Sequence, residues 1–317
     1  MQKIDAHFHV DLQGIDAGQM IEYMDNHDIE KCWLLTWEEK KPPIDSIYQP
    51  LPPEKVFEAY EQHPDRIIPF YAPDPKTDNL EKKIRQYKEN GLKGCGELKV
   101  THKWEDKAIE NYLRVIDKYD LPLLFHMEEP RRHYVPESES KFEKLLEKLM
   151  NGALNGVTRH YLTVFSRKTS ILKDHIENHQ EYFPGYLYDF SNLEKRLKQF
   201  PGIDFIGHGP HFWNNISREQ SDILIHQKGR FDEFGIIDRL LTHYENFYCD
   251  ISGKSGFNAL SRDHDKGRLF LEKHYNKILF GTDNTGMDFE GLIRSFGLPK
   301  EKLKKIFFEN ADALIRE

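Results

Sequence analysis

The sequence predicts a (β/α)8 barrel, on three observations. Eight short apolar runs of strand length alternate with segments whose apolar residues recur at helical spacing. Five of those runs end in side chains that can bind a metal: His7 with His9, Glu97, His126, His208 and Asp283. The first strand-to-helix turn, from His7 to Gly14, has no G-x-G-x-x-G, which a nucleotide-binding doubly wound sheet carries there. A chain of 317 residues can bury the core such a barrel needs, and residues 1–317 are read as one domain.

The elements follow in order. Residues 4–10 read as the first strand, and strict alternation puts Asp5, His7 and His9 on one face and Ala6, Phe8 and Val10 on the other. Met20, Ile21 and Met24 mark a helix face within 16–28, and 31–37 is a buried strand. A Pro-rich loop runs from Pro42 to Pro53, and Pro53 then sits at a first helical position ahead of Val56, Phe57 and Tyr60. Residues 67–71 form the third strand. Leu80, Ile84 and Tyr87 form a helix ended by Gly91. The fourth strand is 94–100, the next helical face is Ile109, Tyr112, Leu113 and Ile116, and the fifth strand is 121–127.

The rhythm then breaks. Residues 128–188 are too long for one crossover, so a helical insertion is expected at about 129–188, with helices around Phe142 to Leu149 and over 171–179. It starts at a strand end, where a lid sits. A helical excursion without contact to any site is equally compatible. Regularity resumes with Asp189 or Ser191 capping a helix that bears Leu193, Leu197 and Phe200. Residues 203–208, 246–251 and 277–283 supply strands six to eight. Helices are expected around Phe234 to Leu241, over 269–275 and over 300–315.

The net charge of −8 and the absence of a basic run do not favour nucleic acid as a partner. Cys32, Cys95 and Cys249 are far apart and odd in number, as expected in a reducing compartment without a disulfide framework. The first strand begins almost at once, so no signal peptide is expected. No apolar run approaches the ~18 residues that span a bilayer. A soluble cytoplasmic protein acting on a small molecule is expected, without membrane contact. Oligomeric state is not encoded visibly, and a homo-oligomer is compatible.

In a barrel every strand's C-terminal end faces one mouth, so residues far apart in sequence meet there. His7 and His9 can hold one borderline-soft divalent ion, because each offers a neutral nitrogen. Taken singly, each candidate has an ordinary explanation: His126 and His208 as satisfied core histidines, Asp283 as a helix cap, Glu97 as a partner of Lys99. Together they need a common reason, since burying each unpaired costs ~1–3 kcal/mol. Arg131, Arg132 and His211 follow strands five and six and are candidates for binding an anionic substrate. Trp213 and residues 258–262 are further loop candidates.

These pieces resemble the amidohydrolase superfamily, and within it the amidohydrolase-related branch. The resemblance rests on Asp5-Ala6-His7-Phe8-His9, Leu121 to His126, Phe205-Ile206-Gly207-His208, Leu279 to Asp283 and Glu309-Asn310-Ala311. Residues 248–253 and Asn258-Ala259-Leu260 resemble it too. It implies that His7, His9 and Asp283 bind a catalytic metal, and that His126 and His208 bind a second ion or complete the first site. Strand four departs from the members that carry a carboxylated lysine there. Gly96-Glu97 resembles instead the Gly-Glu segment of TatD-type nucleases, where the glutamate is a ligand. Glu97 bridging two ions is the simpler expectation, and a carboxylated Lys99 is the alternative.

The expected cofactor is therefore a divalent metal, zinc with manganese as the alternative, in one or two ions. Asp283 and His208 are the expected catalytic residues, Asp283 for proton transfer and His208, if not a ligand, for oxyanion stabilisation. The function implied is water-activating hydrolysis of an ester, lactone or amide. Non-oxidative decarboxylation of an aromatic or unsaturated acid is the alternative, and a TatD-like phosphoesterase the second.

Overall fold

The ten strands, in a computed structural model that describes residues 1–10, 12–39, 50–151, 170–219 and 226–316, separate into a ring and a ribbon. They are β1 (Ile4–Phe8), β2 (Lys31–Leu34), β3 (Ile67–Pro69), β4 (Cys95–Leu98), β5 (Leu123–His126), β6 (Arg131–Tyr134), β7 (Gln180–Phe183), β8 (Phe205–His208), β9 (Phe247–Asp250) and β10 (Ile278–Leu279). Parallel ladders join β1-β2-β3 and β4-β5-β8-β9-β10. Two seams close the ring. Tyr71 N donates to Gly94 O at 3.1 Å between β3 and β4. Ala6 N donates to Phe280 O and Asp283 N to His7 O, both at 2.8 Å, between β10 and β1. This is the eight-stranded barrel expected from the alternation.

Two apolar layers explain why these runs are strands. Ile4, Ala6, Trp33, Leu35, Ile68, Phe70, Leu124, Ile206 and Leu279 form one buried cluster with contributions from most of the ring, as the filling of a closed barrel requires. Cys32, Leu34, Ile67, Cys95, Leu123, Phe125, Phe205, Cys249 and Ile278 alternate with them and pack in the larger outer cluster with the helices. The three cysteines are buried and free.

Alternation fails in two places, and both carry site residues. The register of β1 against β2 shifts between Asp5 and Phe8. Ile4 and Ala6 lie in the inner layer, whereas Phe8 and Val10 lie in the outer one. The expectation that Ala6, Phe8 and Val10 share a face is therefore corrected: a bulge at His7 switches the layers. A second shift lies between Cys95 and Leu98 in β4, which both pack outward although three residues apart. Glu97 sits in that bulge.

The helices start where their caps stand. Asp16 and Gln19 form a capping box ahead of Ala17–Asn26, and Asp189 caps Phe190–Gln199. Three short helices escaped the periodicity: Pro210–Asn214, Gly253–Ser261 and Phe289–Ser295. The excursion after β5 holds the expected helices, Lys141–Met150 and Ser170–Asn178, but also the unexpected antiparallel β6-β7 ribbon. Residues 152–169 of the excursion and 42–49 of the Pro-rich loop lie outside the described residues. Among the described residues no helix is long and apolar enough to cross a membrane.

Leu124 is fully buried in the inner layer. Leu124→Ala is expected to lower stability by about 2–5 kcal/mol, read from the urea midpoint. An unchanged midpoint would mean the layer is not packed.

Candidate metal centre

Four imidazoles and two carboxylates converge at the C-terminal mouth of the ring. His7 Nε2 lies 3.1 Å from His9 Nε2. Glu97 Oε2 lies 3.5 Å from His9 Nε2 and 3.9 Å from His7 Nε2. Asp283 Oδ1 lies 3.5 and 3.7 Å from the same two atoms. On the other side, Glu97 Oε1 lies 2.6 Å from His126 Nδ1 and 3.9 Å from His208 Nε2. Asp283 Oδ2 is 3.9 Å from His208 Nε2. Glu97 thus turns one oxygen to each histidine pair.

The outer nitrogen of every imidazole is held by an acceptor. His7 Nδ1 donates to Asp250 Oδ2 and His208 Nδ1 to Asp250 Oδ1, each at 3.0 Å. His9 Nδ1 donates to Leu35 O at 2.9 Å. His126 Nε2 donates to Glu128 Oε2 at 3.2 Å. A carbonyl can only accept, so neutral His9 carries its lone pair on Nε2, aimed at His7 Nε2. Two neutral rings that each donate outward through Nδ1 would face each other with Nε2 lone pairs across 3.1 Å. A cation or a shared proton must sit between them. Fixing the far nitrogen of a ligating histidine is also how metal sites set tautomer and ring orientation. The donor set, imidazole nitrogens with carboxylate oxygens, fits a divalent transition metal.

Electrostatics keep the cluster poised. Burial opposes charge on His7, but Asp250 outweighs it and raises the imidazole to about 9. Burial and the charge of His7 push His9 down to about 4. Burial would raise Glu97, yet His126 and Lys99 hold it well below the usual carboxylate range. Asp250 is also held far below that range, against burial, by His208 and His7.

The strand ends are clasped around these groups. Asp5, fully buried and raised to about 7 by burial, accepts from Thr282 N at 3.0 Å and Thr282 Oγ1 at 2.6 Å. His9 N donates to Asn284 Oδ1 at 2.8 Å, and Asn284 Nδ2 donates to His9 O at 2.7 Å. Asp283 and Asn284 both sit at φ 53° between these clasps, which aims the Asp283 carboxylate at the histidines. Gly253, at φ +71°, leaves room there: a Cβ would come within 3.0 Å of Asp283 Oδ2.

The six residues expected as ligands are therefore brought together. The loop candidates fare differently. Trp213 is a correction: its indole is buried and donates to Asp250 O at 3.1 Å, so it braces the cluster from behind. His211 Nδ1 is paired with Glu129 Oε1 at 2.7 Å. Arg131 is ion-paired with Glu128 and lies over the Phe183 ring. Arg132 is exposed on β6. Asn258 belongs to a helix, where it donates to Gln227 O, and Arg262 donates to Ser217 Oγ. Lys99 places its ammonium 4.8 Å from the Trp37 ring centre. Asp283 is no helix cap; Asp288 caps the helix that follows.

Asp250 and Glu128 are the residues that sequence reasoning missed. Asp250 ends the seventh strand, so the strand-end rule already contained it. Glu128 lies two residues beyond His126, on the same face by alternation.

Two outcomes test the cluster. Asp250→Asn removes the charge that holds both outer nitrogens, and metal affinity should fall about 10–100-fold in a chelator competition. Binding at His7 must displace a proton, so affinity should rise with pH from 6 toward the His7 value of about 9. A flat profile would leave His7 without a ligand role.

A search of curated proteins finds no match. Solved structures do match along nearly the full chain. A probable 2-pyrone-4,6-dicarboxylic acid hydrolase from Acinetobacter baumannii aligns at TM-score 0.54 and 12% identity, over 99% of both chains. A 5-carboxyvanillate decarboxylase from Novosphingobium aromaticivorans aligns at 0.54 and 14%, over 99% of this chain and 95% of that one. A 2,6-dihydroxybenzoate decarboxylase aligns at 0.52 and 17%, over 99% and 98%. At such identities they speak for the fold alone. A family model described as amidohydrolase matches residues 52–316, beginning beyond His7 and His9 but spanning the other four residues of the cluster. On that match the chain belongs to amidohydrolase family 2.

Proposed function

We propose that the protein is a metal-dependent hydrolase that activates water to cleave an ester, lactone or amide bond in a small molecule. The observation that carries this reading is the divided Glu97 carboxylate, with one oxygen toward His7 and His9 and the other toward His126 and His208. His7, His9, Asp283 and Glu97 Oε2 would hold one divalent ion. His126, His208 and Glu97 Oε1 would hold a second. Zinc suits these donors, and manganese is the alternative, being bound in the 5-carboxyvanillate decarboxylase structure. Such an ion acidifies water toward a pKa of ~7 and polarises a substrate carbonyl.

The chain's own groups do the rest. Asp283 is the most accessible member of the cluster, its side chain 28% exposed. It accepts the proton of the attacking water and passes it to the leaving group. His208 is oriented through Nδ1 by Asp250 and by Ser252 Oγ, each at 3.0 Å, which leaves Nε2 for the second ion or, in a one-ion site, for the developing oxyanion. The bare Gly253 backbone lets the Asp283 carboxylate and the His208 ring approach closely.

One observation favours a second reading. Both nitrogens of His126 are engaged by carboxylates, Glu97 and Glu128. With a proton on each, His126 is an acid rather than a ligand, and its pKa is raised by Glu97 despite burial. A one-ion site of that kind fits non-oxidative decarboxylation of an aromatic or unsaturated acid, the activity named for two of the similar structures.

Metal counting separates the readings. Two ions are expected in the barrel mouth, counted against a chain with His7, His9, His126 and His208 all changed to Ala, with one lost in Glu97→Ala. One ion by that count, unchanged in Glu97→Ala, overturns the bridge and favours the decarboxylase. The double change of His7 and His9 to Ala should strip the first ion from a folded barrel. On a substrate found by screening lactones, esters, amides and aromatic acids, Asp283→Asn should lose at least ~10²-fold in rate with metal largely retained. A near-normal rate would sink the proton-transfer role.

A further inference from the structure

We propose that the excursion carries a separate transition-metal site of the zinc type, built by Glu137, His175 and His179 with Glu143 beside them. It shares no residue with the cluster in the barrel mouth. The helix Ser170–Asn178 carries His175, and His179 follows its last residue, so the two imidazoles stand four residues apart on one face. Their ring centres are 4.4 Å apart. Two histidines at this spacing are a recurrent zinc-binding pair.

The hydrogen bonds of His179 leave its ligand atom free. His179 Nδ1 donates to His175 O at 2.7 Å, which leaves the lone pair of the neutral ring on Nε2. That atom faces Glu137 Oε2 at 3.6 Å, beyond a good hydrogen bond. Two ligand atoms on a tetrahedral ion, each at ~2.0–2.2 Å from it, stand about 3.3–3.6 Å apart. One ligand atom from each of Glu137, His175 and His179 lies within 4.8 Å of the others. His175 Nε2 lies 2.8 Å from Glu143 Oε1 and 2.9 Å from Tyr134 Oη, so an ion at this nitrogen displaces its proton; Glu143 Oε2 accepts from Tyr134 Oη at 2.5 Å and from Glu137 N at 3.2 Å. Glu143 thus stands ready as a fourth ligand or as the orienting partner of His175.

Position gives the site its role. Glu137 lies on the outgoing arm, just beyond β6, and the histidines lie on the returning arm, just before β7. Val135 N donates to His179 O at 2.8 Å where the arms meet. An ion here pins the two arms together at the far end of the ribbon, opposite the end that holds Arg131 against Glu128. The site is structural: it ties the excursion to itself.

Metal titration of the full chain, freed of metal by chelator, decides. Co2+ is the probe, read by its d–d absorption, with Zn2+ counted by elemental analysis. Wild type should bind one ion more than the double variant His175→Ala, His179→Ala. The double variant of His7 and His9 to Ala should keep that ion, which separates this site from the barrel cluster. Glu137→Gln, an exposed change that leaves the fold intact, should weaken the site roughly 10-fold or more. Equal ion counts in wild type and the His175, His179 variant overturn the proposal, as does unchanged affinity in Glu137→Gln.

Discussion

The buried carboxylate of Asp250 is the group on which the rest of the mouth depends. It ends β9 and holds one imidazole from β1 and one from β8, so one charge sets the orientation of two rings from different strands. A buried charge is costly unless it is fully hydrogen-bonded. Asp250 meets that condition: Oδ1 also accepts from Ser252 N at 2.9 Å and from Ser252 Oγ. Its backbone oxygen accepts from Trp213. Removing the carboxylate would release two rings at once, whereas removing either histidine would leave it partly paired.

The mouth is built against its own stability. Imidazoles and carboxylates are crowded together there, with few donors among many acceptors, and the barrel must hold them in place. The inner apolar layer below and the clasps above supply that constraint. Asp5 with Thr282, and Asn284 with His9, lock the β10–β1 seam where the ring has only backbone bonds at Ala6 and His7. The two bulges fall in the strands that supply His7, His9 and Glu97. A regular strand would put successive inward residues about 7 Å apart along its axis; a bulge adds a residue at the rim and re-aims it. Positive-φ backbone at Asp283 and Asn284 and buried polar groups thus fall at one place, the mouth.

Much of this was legible in the sequence because barrel topology is simple. Strand ends meet, so His7, His9, Glu97, His126, His208 and Asp283 could be grouped without knowing any helix position. What stayed hidden depends on a second element. The bulges at His7 and Glu97 exist only relative to the neighbouring strand, so alternation within one run could not reveal them. The ribbon of Arg131–Tyr134 with Gln180–Phe183 pairs two polar stretches almost fifty residues apart, neither with an apolar face of its own. Trp213 looked like a loop residue because a five-residue helix leaves no periodicity to read. Asp250 was visible as a strand end but reads as an unremarkable acid until two imidazoles are seen on it.

The excursion is tied to the mouth rather than appended to it. Glu128 receives His126 Nε2 on one side and the Arg131 guanidinium on the other, and Arg131 opens the ribbon. Burial would raise Glu128, but His126 and Arg131 bring it down to about 2, so it stays an acceptor. The tautomer of His126 is thus set by a residue that the excursion positions. Shifting the ribbon would move Arg131, loosen Glu128 and free His126 to turn. The choice between His126 as a ligand and His126 as an acid then turns on the Glu128–Arg131 pair. That pair is where the excursion touches the cluster in the barrel mouth.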